Sequence, residues 1–527
     1  MRTRNLLCGL VGGLAVVVSS PSLAELAPFD EQARIFASDG VGVDQYGFPD
    51  RYGHVVRIDG EWAAVGDPYH NGIRNRNRTP PKVDDAGAVY LLKRQDDGRW
   101  AEHSLLLGGW QSDHFGRDLA ISGTTLLVAA PDDDTLQNGD NCGSVELFVL
   151  DESGTWVSAA KLLDSQGGRR QRFGKAVSIR GDTAAVSAYY SRDVVVFVRS
   201  DSGWVEHQRL SPSDIKRDDN FGAAIAIDGN TMIIGAPGDD DLGDYSGSAY
   251  VFEREGELWV EKQKLYPSDA TAATGFAYRI DLAGDLALFA AEGGAFNQYH
   301  EQEGAAYIFS RGVNGWSEEA KLEASDGGPG NEFGSDVAID GYTVVIGASV
   351  AKKAYVFEHL QSGQWHELQA LAPQVAAFGY SLDLDGNDLL VASLGRAWHN
   401  DASPGAVFHY QRDTADRMQV AIDIKPGYVG NRLNLSTQRR FWVAILSDAG
   451  FDALQVDPST VRLGSGRASP NRYSANDVNA DGLPDLMVRF QTEEVGIACG
   501  ATELTLTGET YAAERIVGTD KIKTTGC

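Results

Sequence analysis

Residues 221–265 read FGAAIAIDGNTMIIGAPGDDDLGDYSGSAYVFEREGELWVEKQKL and contain four short segments with strand character. Segment 221–227 alternates small and apolar residues, 231–236 is an apolar run, and 247–252 and 259–265 alternate again. The dipeptide Asp228-Gly229 separates the first two segments, and it accepts the positive φ angles of a type I′ turn. The pattern therefore predicts consecutive antiparallel hairpins.

The chain repeats this pattern seven times. Each repeat opens with an aromatic residue and a small residue, and the glycine of a turn follows seven positions after the small residue. The opening pairs are Tyr52-Gly53, Phe115-Gly116, Phe173-Gly174, Phe221-Gly222, Phe276-Ala277, Phe333-Gly334 and Phe378-Gly379. An apolar strand and a third strand complete every repeat, but only six repeats have a fourth strand, which contains Trp100, Trp156, Trp204, Trp259, Trp316 or Trp365.

The missing fourth strand is predicted at the other end of the chain. Residues 33–40, ARIFASDG, align with residues 320–327, AKLEASDG, which close a tryptophan strand. A strand taken from the N-terminus would close a ring of repeats and remove the exposed edge that an open array leaves. We therefore predict an all-β protein: a seven-bladed β-propeller over residues 25–410, closed by the N-terminal strand.

The motifs resemble a known repeat family. Phe221-Gly222 and Gly235-Ala236-Pro237 are similar to the two elements of FG-GAP repeats, the units of the integrin α-subunit propeller, and the likeness spans residues 29–410. The resemblance implies a propeller and leaves its function open, because propellers include adhesion proteins and enzymes. Integrin-type repeats often have a calcium loop in the first hairpin. Here that hairpin is a tight turn with at most one carboxylate, so we expect no metal there.

Composition and the N-terminus indicate an exported protein. The net charge of −28 disfavours nucleic acid and anionic membranes as partners. Residues 1–24 have the charged start, apolar core and small-residue end of a signal peptide, so the mature protein is expected to begin near Glu25. We predict a periplasmic, cell-surface or extracellular protein with no transmembrane segment, and we expect a monomer.

A second domain is predicted after a polar linker at residues 411–419. Residues 420–527 resemble a C-terminal module of bacterial secreted proteins, and we expect a small β-sandwich-like domain. Within it, DVNADGLPD at 477–485 predicts a Ca²⁺ loop with ligands from Asp477, Asn479, Asp481, the backbone carbonyl of Leu483, and Asp485. Cys499 and Cys527 are expected to form a disulfide in an oxidising compartment.

The loops between second and third strands are the candidate binding surface, because variable loops on a rigid scaffold often bind ligands. Two are acidic, around Asp132 and Asp239, and we interpret them as solvated turns in preference to calcium sites. Three pair an aromatic residue with histidine: Tyr69-His70, Tyr299-His300 and Trp398-His399. Such pairs either stack on a sugar or peptide or pack on the blade.

No established catalytic motif appears with its required context. Arg180-Gly181-Asp182 occupies an ordinary hairpin position, and Cys142 is expected to be a free thiol. The sequence favours a non-enzymatic binding or adhesion protein that presents its propeller face to a protein or glycan. The alternative is an extracellular hydrolase or lyase with its site at the centre of that face.

Overall fold

A computed structural model describes residues 28–39, 51–73, 82–83, 85–95, 97–110, 112–134, 139–188, 192–291, 303–359, 364–394, 405–412, 418–427, 430–437, 439–448, 450–464, 468–497, 501–512 and 514–526. Residues 29–412 form seven four-stranded antiparallel sheets within these ranges, numbered here as blades one to seven along the chain. In blades one to six the strands follow chain order, and in blade seven the N-terminal strand takes the fourth place. The first strand lies innermost in every blade.

Blades one to four take their strands from residues 55–265. Their strands are Val55–Asp59, Trp62–Asp67, Ala88–Arg94 and Trp100–Leu107 in blade one; Leu119–Ser122, Thr125–Ala130, Ser144–Leu150 and Trp156–Leu162 in blade two; Phe173–Arg180, Thr183–Ala188, Val194–Ser200 and Gly203–Leu210 in blade three; and Ile225–Asp228, Thr231–Ala236, Ser248–Glu255 and Leu258–Leu265 in blade four.

Blades five to seven complete the ring. Their strands are Phe276–Ala283, Leu286–Ala291, Ala305–Gly312 and Gly315–Leu322 in blade five; Phe333–Asp340, Thr343–Ala348, Lys353–His359 and Trp365–Leu371 in blade six; and Phe378–Asp385, Asp388–Ser393, Ala406–Arg412 and the N-terminal Phe29–Ile35 in blade seven. The two-residue strands Gly72–Ile73 and Lys82–Val83 pair in the loop of blade one.

The ring is closed by the N-terminal strand, as predicted. Phe29–Ile35 pairs antiparallel with Ala406–Arg412, with Phe29 opposite Arg412 and Ile35 opposite Val407. First strands of consecutive blades contact one another around the whole cycle, and the contact between blades seven and one completes it. The predicted all-β propeller fold is confirmed.

Apolar packing occurs between blades. The seven propeller clusters of buried residues each combine side chains of two consecutive blades, including blades seven and one. Each blade therefore buries both faces, which accounts for second strands that are apolar or small throughout and have no alternation. Burial of this kind is the main stabilising contribution to the ring.

A polar contact is repeated at the outer rim. In four blades a tyrosine hydroxyl of the third strand donates to an aspartate in the segment that precedes that blade. The pairs are Tyr90–Asp39 at 2.8 Å, Tyr250–Asp214 at 3.0 Å, Tyr307–Asp269 at 2.8 Å and Tyr355–Asp326 at 2.7 Å. Asp39 belongs to the N-terminal segment, so this segment makes the same contact with blade one that interblade connections make elsewhere.

The C-terminal domain consists of two sheets around one core. One sheet has the order Met418–Gln419, Arg515–Lys521, Glu503–Thr510, Val456–Leu463, and the other Ile422–Ile424, Arg440–Ile445, Asp485–Gln491, Arg472–Asn476. Arg432–Asn434 pairs with Lys523–Thr525. A single apolar cluster fills the space between the sheets. This is the sandwich-like arrangement that we predicted. Strands extend into both ends of the predicted linker, to Arg412 and from Met418.

The C-terminal domain contacts the propeller face that contains the hairpins between first and second strands, which we call the hairpin face. Arg515 Nη2 donates to Thr343 Oγ1 at 2.7 Å and lies 3.4 Å from Glu358 Oε2. Glu358 also forms an ion pair with Arg412, and both side chains are almost fully buried. The opposite face contains the loops between second and third strands, and we call it the loop face.

Helix is scarce in the described residues, which contain the three-residue 3₁₀ turns Arg217–Asp219, Ala453–Gln455 and Thr492–Glu494. None of the helices found there is long and apolar enough to cross a membrane.

Candidate functional site: the central channel

The seven first strands surround a central channel with an open volume of about 510 Å³. All of them run from the loop face, where the aromatic-small pair lies, to the hairpin face, where the turn glycine lies. A residue's distance from its aromatic residue therefore sets its depth. With the aromatic residue as position zero, position two falls at the loop-face end, position three between that end and the middle, position five in the middle, and position seven at the hairpin-face end.

The middle of the channel contains one arginine among four carboxylates. Arg57 Nη2 lies 3.8 Å from Asp118 Oδ1, and its Nη1 lies 3.8 Å from Asp336 Oδ2. Asp281 and Asp383 line the same channel and interact electrostatically with Arg57. We call these five residues the carboxylate tier. Arg279 Nε also lies 3.7 Å from Asp336 Oδ1, so two guanidinium groups approach four carboxylates, and proton binding within the tier is favoured.

Each carboxylate of the tier is oriented by the next blade. One of its oxygens accepts a hydrogen bond from a backbone amide in the first strand of that blade, an edge strand whose inward amides have no strand partner. The bonds are Val177 N to Asp118 at 2.9 Å, Ile339 N to Asp281 at 2.7 Å, Leu382 N to Asp336 at 3.0 Å and Ile58 N to Asp383 at 2.8 Å. The tier is therefore held rigidly by the closure of the ring.

Two of these carboxyl groups titrate near neutral pH. Burial raises the pKa of Asp383 to about 8, against the opposing effect of Arg57. Burial likewise raises the pKa of Asp281 to about 6, although hydrogen bonds from Ile339 and Leu282 oppose it. At pH 7, Asp383 is thus mainly protonated and Asp281 mainly ionised. One member can donate a proton while the other can accept one.

The loop-face end of the channel is cationic. Arg117, Lys175 and Arg279 line it, together with His54 and Tyr380. Arg117 Nη1 contacts His54 Nε2, which assigns the imidazole proton to Nδ1. Burial first, and the neighbouring arginines next, lower the pKa of His54 well below its usual value. The imidazole is therefore neutral at pH 7.

At the hairpin-face end, polar side chains of the turns join consecutive blades. In five places, the side chain of the residue before the turn glycine accepts a hydrogen bond. The donor is the backbone amide of the turn glycine in the next blade. The bonds run from Gly123 to Asp59, Gly181 to Ser122, Gly284 to Asp228, Gly386 to Asp340 and Gly60 to Asp385. Arg462 of the C-terminal domain also lines this end.

The predicted calcium loop lies in the C-terminal domain, between the paired residues Asn476 and Asp485. Asp485 is fully buried and accepts from Ser447 N and Val478 N, both at 2.9 Å. Asp477 Oδ2 accepts from Gly482 N at 3.0 Å. Asn479 Nδ2 donates to Asp481 Oδ2 at 2.8 Å, which places an amide nitrogen against a predicted ligand. In this conformation the loop satisfies its oxygens internally, so Asn479 would have to turn before Ca²⁺ could bind. The ligand set stays a prediction.

The acidic loop of blade four gathers three carboxylates, Asp239, Asp240 and Asp241, close enough to share an ion. Lysines approach them: Lys264 Nζ lies 2.7 Å from both Asp239 Oδ2 and Asp241 Oδ2. Lys216 pairs with Asp240. The cluster is thus compensated by lysine ammonium groups.

The aromatic-histidine pair of blade one packs on the propeller. His70 Nε2 lies 2.8 Å from Asp39 Oδ2, and Arg51 stacks 4.2 Å from the centre of the Tyr69 ring. Tyr299, His300, Trp398 and His399 lie outside the described residues. The same is true of residues 1–24 and of Cys499 and Cys527.

Two other sequence features have local structural roles. Arg180 of the Arg-Gly-Asp tripeptide lies 3.3 Å from Asp228 in the hairpin of blade four. Cys142 is a buried free cysteine whose Sγ lies 3.5 Å from the carbonyl oxygen of Asp133.

Sequence analysis missed the channel residues. The sequence did contain a sign of these residues, because charged side chains interrupt the small and apolar pattern of the first strands. They are Arg57, Asp118, Lys175, Arg279, Asp281, Asp336 and Asp383. The pattern within one repeat does not show which of these meet.

The fold and the channel define a β-propeller protein whose charged groups face its central axis. Within that class, five segments of the chain match the FG-GAP repeat family: residues 107–148, 156–203, 204–252, 259–309 and 316–357. The comparison with curated protein sequences found no match.

Several solved structures are similar in fold. A Lactobacillus plantarum protein is 13% identical, with a TM-score of 0.42 and coverage of 66% of this chain and 99% of that one. A candidate 6-phosphogluconolactonase of Bacteroides uniformis is 13% identical, with a TM-score of 0.41 and coverage of 63% and 84%. The periplasmic gluconolactonase of Pseudomonas aeruginosa is 15% identical, with a TM-score of 0.39 and coverage of 60% and 83%.

These structures count against one expectation from the sequence. The prediction of a non-enzymatic protein is contradicted at the level of the fold, because structures named as candidate 6-phosphogluconolactonases and as a gluconolactonase are among the similar ones. At such identities the likeness concerns the fold alone and transfers neither substrate nor mechanism.

Proposed function

We propose that this protein is a hydrolase whose active site lies in the central channel and opens to the loop face. One observation carries the proposal. Asp281 and Asp383 line the same channel around Arg57 and have pKa values of about 6 and about 8. Perturbed carboxyl groups in a cavity, one on each side of neutral pH, are the arrangement that general acid-base catalysis uses.

The roles follow from the charges. Ionised Asp281 removes a proton from water as the water attacks a carbonyl carbon. Protonated Asp383 donates a proton to the leaving alkoxide oxygen. Arg57 stabilises the negative charge that develops on the carbonyl oxygen. The chemistry suits a small ester, including a cyclic ester (a lactone), because one base, one acid and one cation are sufficient for it.

The amide hydrogen bonds support these roles. Ile339 N fixes Asp281 and Ile58 N fixes Asp383, so neither carboxyl group has to be ordered when substrate binds. The side chains keep partly accessible surfaces because they face the open channel and not packed protein.

The test is a turnover assay on the purified full chain with a panel of lactones and nitrophenyl esters. We expect hydrolysis with a bell-shaped dependence of kcat/KM on pH, with limbs near 6 and near 8. Asp281→Asn and Asp383→Asn should each lower kcat by at least about 100-fold, typical for the loss of a general acid or base. Asp385→Asn, at the hairpin-face end, is the control and should retain activity. Absence of turnover on the whole panel, or activity that survives both channel substitutions, would overturn the proposal.

Two further features belong to this proposal. The signal-like residues 1–24 support an exported enzyme, which is tested by N-terminal sequencing of secreted protein: a start near Glu25 is expected. The composition of loop 477–485 supports Ca²⁺ binding in the C-terminal domain, where the ion would stabilise the loop and take no part in the reaction.

A further inference from the structure

A side chain of the C-terminal domain lies at the end of the propeller channel. Arg462 lines the hairpin-face end and is only 9% exposed. Its Nη2 lies 2.9 Å from the point that a β-carbon on Gly284, the turn glycine of blade five, would occupy. Because Gly284 has no side chain, the guanidinium can lie directly against this turn. The C-terminal domain therefore supplies part of the channel wall.

The C-terminal domain holds Arg462 in one orientation. Its Nη1 donates to the carbonyl oxygens of Ser459 at 2.7 Å and Val461 at 3.0 Å. Both carbonyl groups belong to strand Val456–Leu463, whose pairing with the neighbouring strand is interrupted between Asp457 and Arg462. The guanidinium is thus ordered by its own domain, so contact with the propeller does not have to immobilise a long side chain.

The charge of Arg462 matches the end of the channel that it reaches. Among the described residues, the charged propeller side chains that line this end are Arg180 and four aspartates, Asp59, Asp228, Asp340 and Asp385. Arg180 lies 3.3 Å from Asp228. A second guanidinium beside these carboxyl groups is electrostatically favourable, and such complementarity helps to fix the register of two docked surfaces.

Further contacts anchor the C-terminal domain beside the channel. Arg515 Nη2 donates to Thr343 Oγ1 at 2.7 Å, and its Nε lies 3.5 Å from Glu509 Oε1. Tyr342, in the hairpin of blade six, interacts electrostatically with Asp457 and Glu509 of the domain. The domain is therefore fixed against blade six, next to the end that Arg462 reaches.

The middle of the channel is crossed by a side chain of the carboxylate tier. Arg57 of blade one lies 3.8 Å from Asp118 of blade two and 3.8 Å from Asp336 of blade six. Blades one and six are not neighbours in the ring, so Arg57 reaches across the channel. The space between the tier and Arg462 is thus bounded on both sides.

We propose that Arg462 is a plug: the docked C-terminal domain closes the hairpin-face end of the channel with this side chain, so small solutes enter and leave through the loop face alone. The group that occupies this end is a segment of the same chain, and its positive charge suits the carboxyl groups there. For the proposed hydrolase, substrate and product then share one opening. That consequence rests on the proposed function, whereas the plug itself does not depend on catalysis.

The test measures how fast a thiol at the plugged end reacts with N-ethylmaleimide in the full chain. Ala283→Cys places the thiol among the residues that line this end, next to Gly284. The chain without an added cysteine gives the background rate. We expect slow labelling, and Arg462→Ala in the same chain should accelerate it by about tenfold or more, because thiol reactivity follows exposure.

A matched position reports on the other end. Ala223 lines the channel two residues after Phe221, at the loop-face end. A thiol introduced by Ala223→Cys should react fast, and Arg462→Ala should change its rate by less than about twofold. An equal labelling rate at position 283 with Arg462 and with Arg462→Ala would refute the plug.

A second variant serves if Arg462→Ala does not fold. Arg515→Glu places a carboxylate against Glu358 and Glu509, so it should release the domain from blade six and expose the thiol at position 283. Scattering measurements should then show a larger radius of gyration. Slow labelling of a chain whose domains have separated would equally refute the plug.

The plug and the hydrolase fail in different ways, because labelling does not require turnover. Labelling at position 283 that depends on Arg462, without hydrolysis of any ester, leaves the plug in place and removes the hydrolase. Ester hydrolysis together with labelling that is independent of Arg462 leaves the hydrolase in place and removes the plug.

Discussion

Asp383 of blade seven accepts a hydrogen bond from the backbone amide of Ile58 in blade one, with 2.8 Å between Oδ2 and nitrogen. This bond joins the last blade to the first on the channel side, while the N-terminal strand closes blade seven at its outer edge. The same carboxyl group is the proposed general acid. Asp383 therefore contributes both to ring closure and to the proposed chemistry of the channel.

Deletion of residues 31–39 should destabilise the propeller strongly. It removes most of the fourth strand of blade seven and the hydrogen bonds from Ser38 Oγ to Glu102 and from Tyr90 to Asp39. The exposed edge would also promote aggregation. We expect a loss of thermal stability of several degrees or more, or insoluble protein. Gln32→Ala, at an exposed position of the same strand, should change stability by less than about 0.5 kcal/mol. An unchanged melting temperature in the deletion variant would contradict closure.

Asp385→Ala should cost about 1–2 kcal/mol of unfolding free energy, because Gly60 N loses its acceptor at 2.7 Å. Denaturant unfolding monitored by tryptophan fluorescence measures this loss of unfolding free energy. Asp182→Ala is the matched control, because Asp182 is exposed and its ion pair with Arg199 is 4.0 Å long. Equal effects of the two substitutions would show that the interblade bonds contribute nothing.

Stability should fall as the pH rises through the titration of Asp383. Its folded-state pKa of about 8 lies above the unfolded value, so the folded protein binds the extra proton between these values. The resulting stabilisation is complete below the unfolded pKa and is lost as the pH rises through about 8. Asp383→Asn keeps an oxygen acceptor and cannot titrate. It should therefore reduce the decline in stability between pH 6 and 8 by at most about 2 kcal/mol. Thermal melts at several pH values check this, and parallel curves for wild type and variant would contradict it.

Calcium should raise the melting temperature of the full chain through loop 477–485, and chelation should lower it. An ion that binds only the folded state stabilises by about 2.7 kcal/mol at a hundredfold excess over Kd, provided that the responding domain unfolds in the observed transition. Asp481→Ala should abolish the response. Asp240→Ala, in the acidic loop of blade four, should retain it. If Asp240→Ala abolishes the response and Asp481→Ala retains it, the metal site lies at Asp239–Asp241 instead.

The fold was predictable because its determinants are local and repeated. An aromatic-small pair, a turn glycine seven positions later and alternating strands occur inside each repeat, and the partial repeat at residues 33–40 indicated how the ring closes. The channel was not predictable in the same way. Asp281 and Asp383 occupy position five of blades five and seven, Arg57 occupies that position of blade one, and three of the seven equivalent positions hold alanine. Only the closed ring shows that these side chains face one axis, and their pKa values follow from that shared burial.

The N-terminal strand also constrains the order of folding. Phe29–Ile35 emerges first during synthesis, but its partner Ala406–Arg412 follows about 380 residues later in the chain. Until then the strand has no hydrogen-bonding neighbour, and a long apolar strand in that position would be an aggregation hazard. Asp30, Glu31, Gln32 and Arg34 are polar and exposed even in the finished blade. The polar and charged side chains of this strand thus lower its tendency to aggregate before blade seven forms. Within the strand, Phe29 is the residue that becomes fully buried in the folded blade.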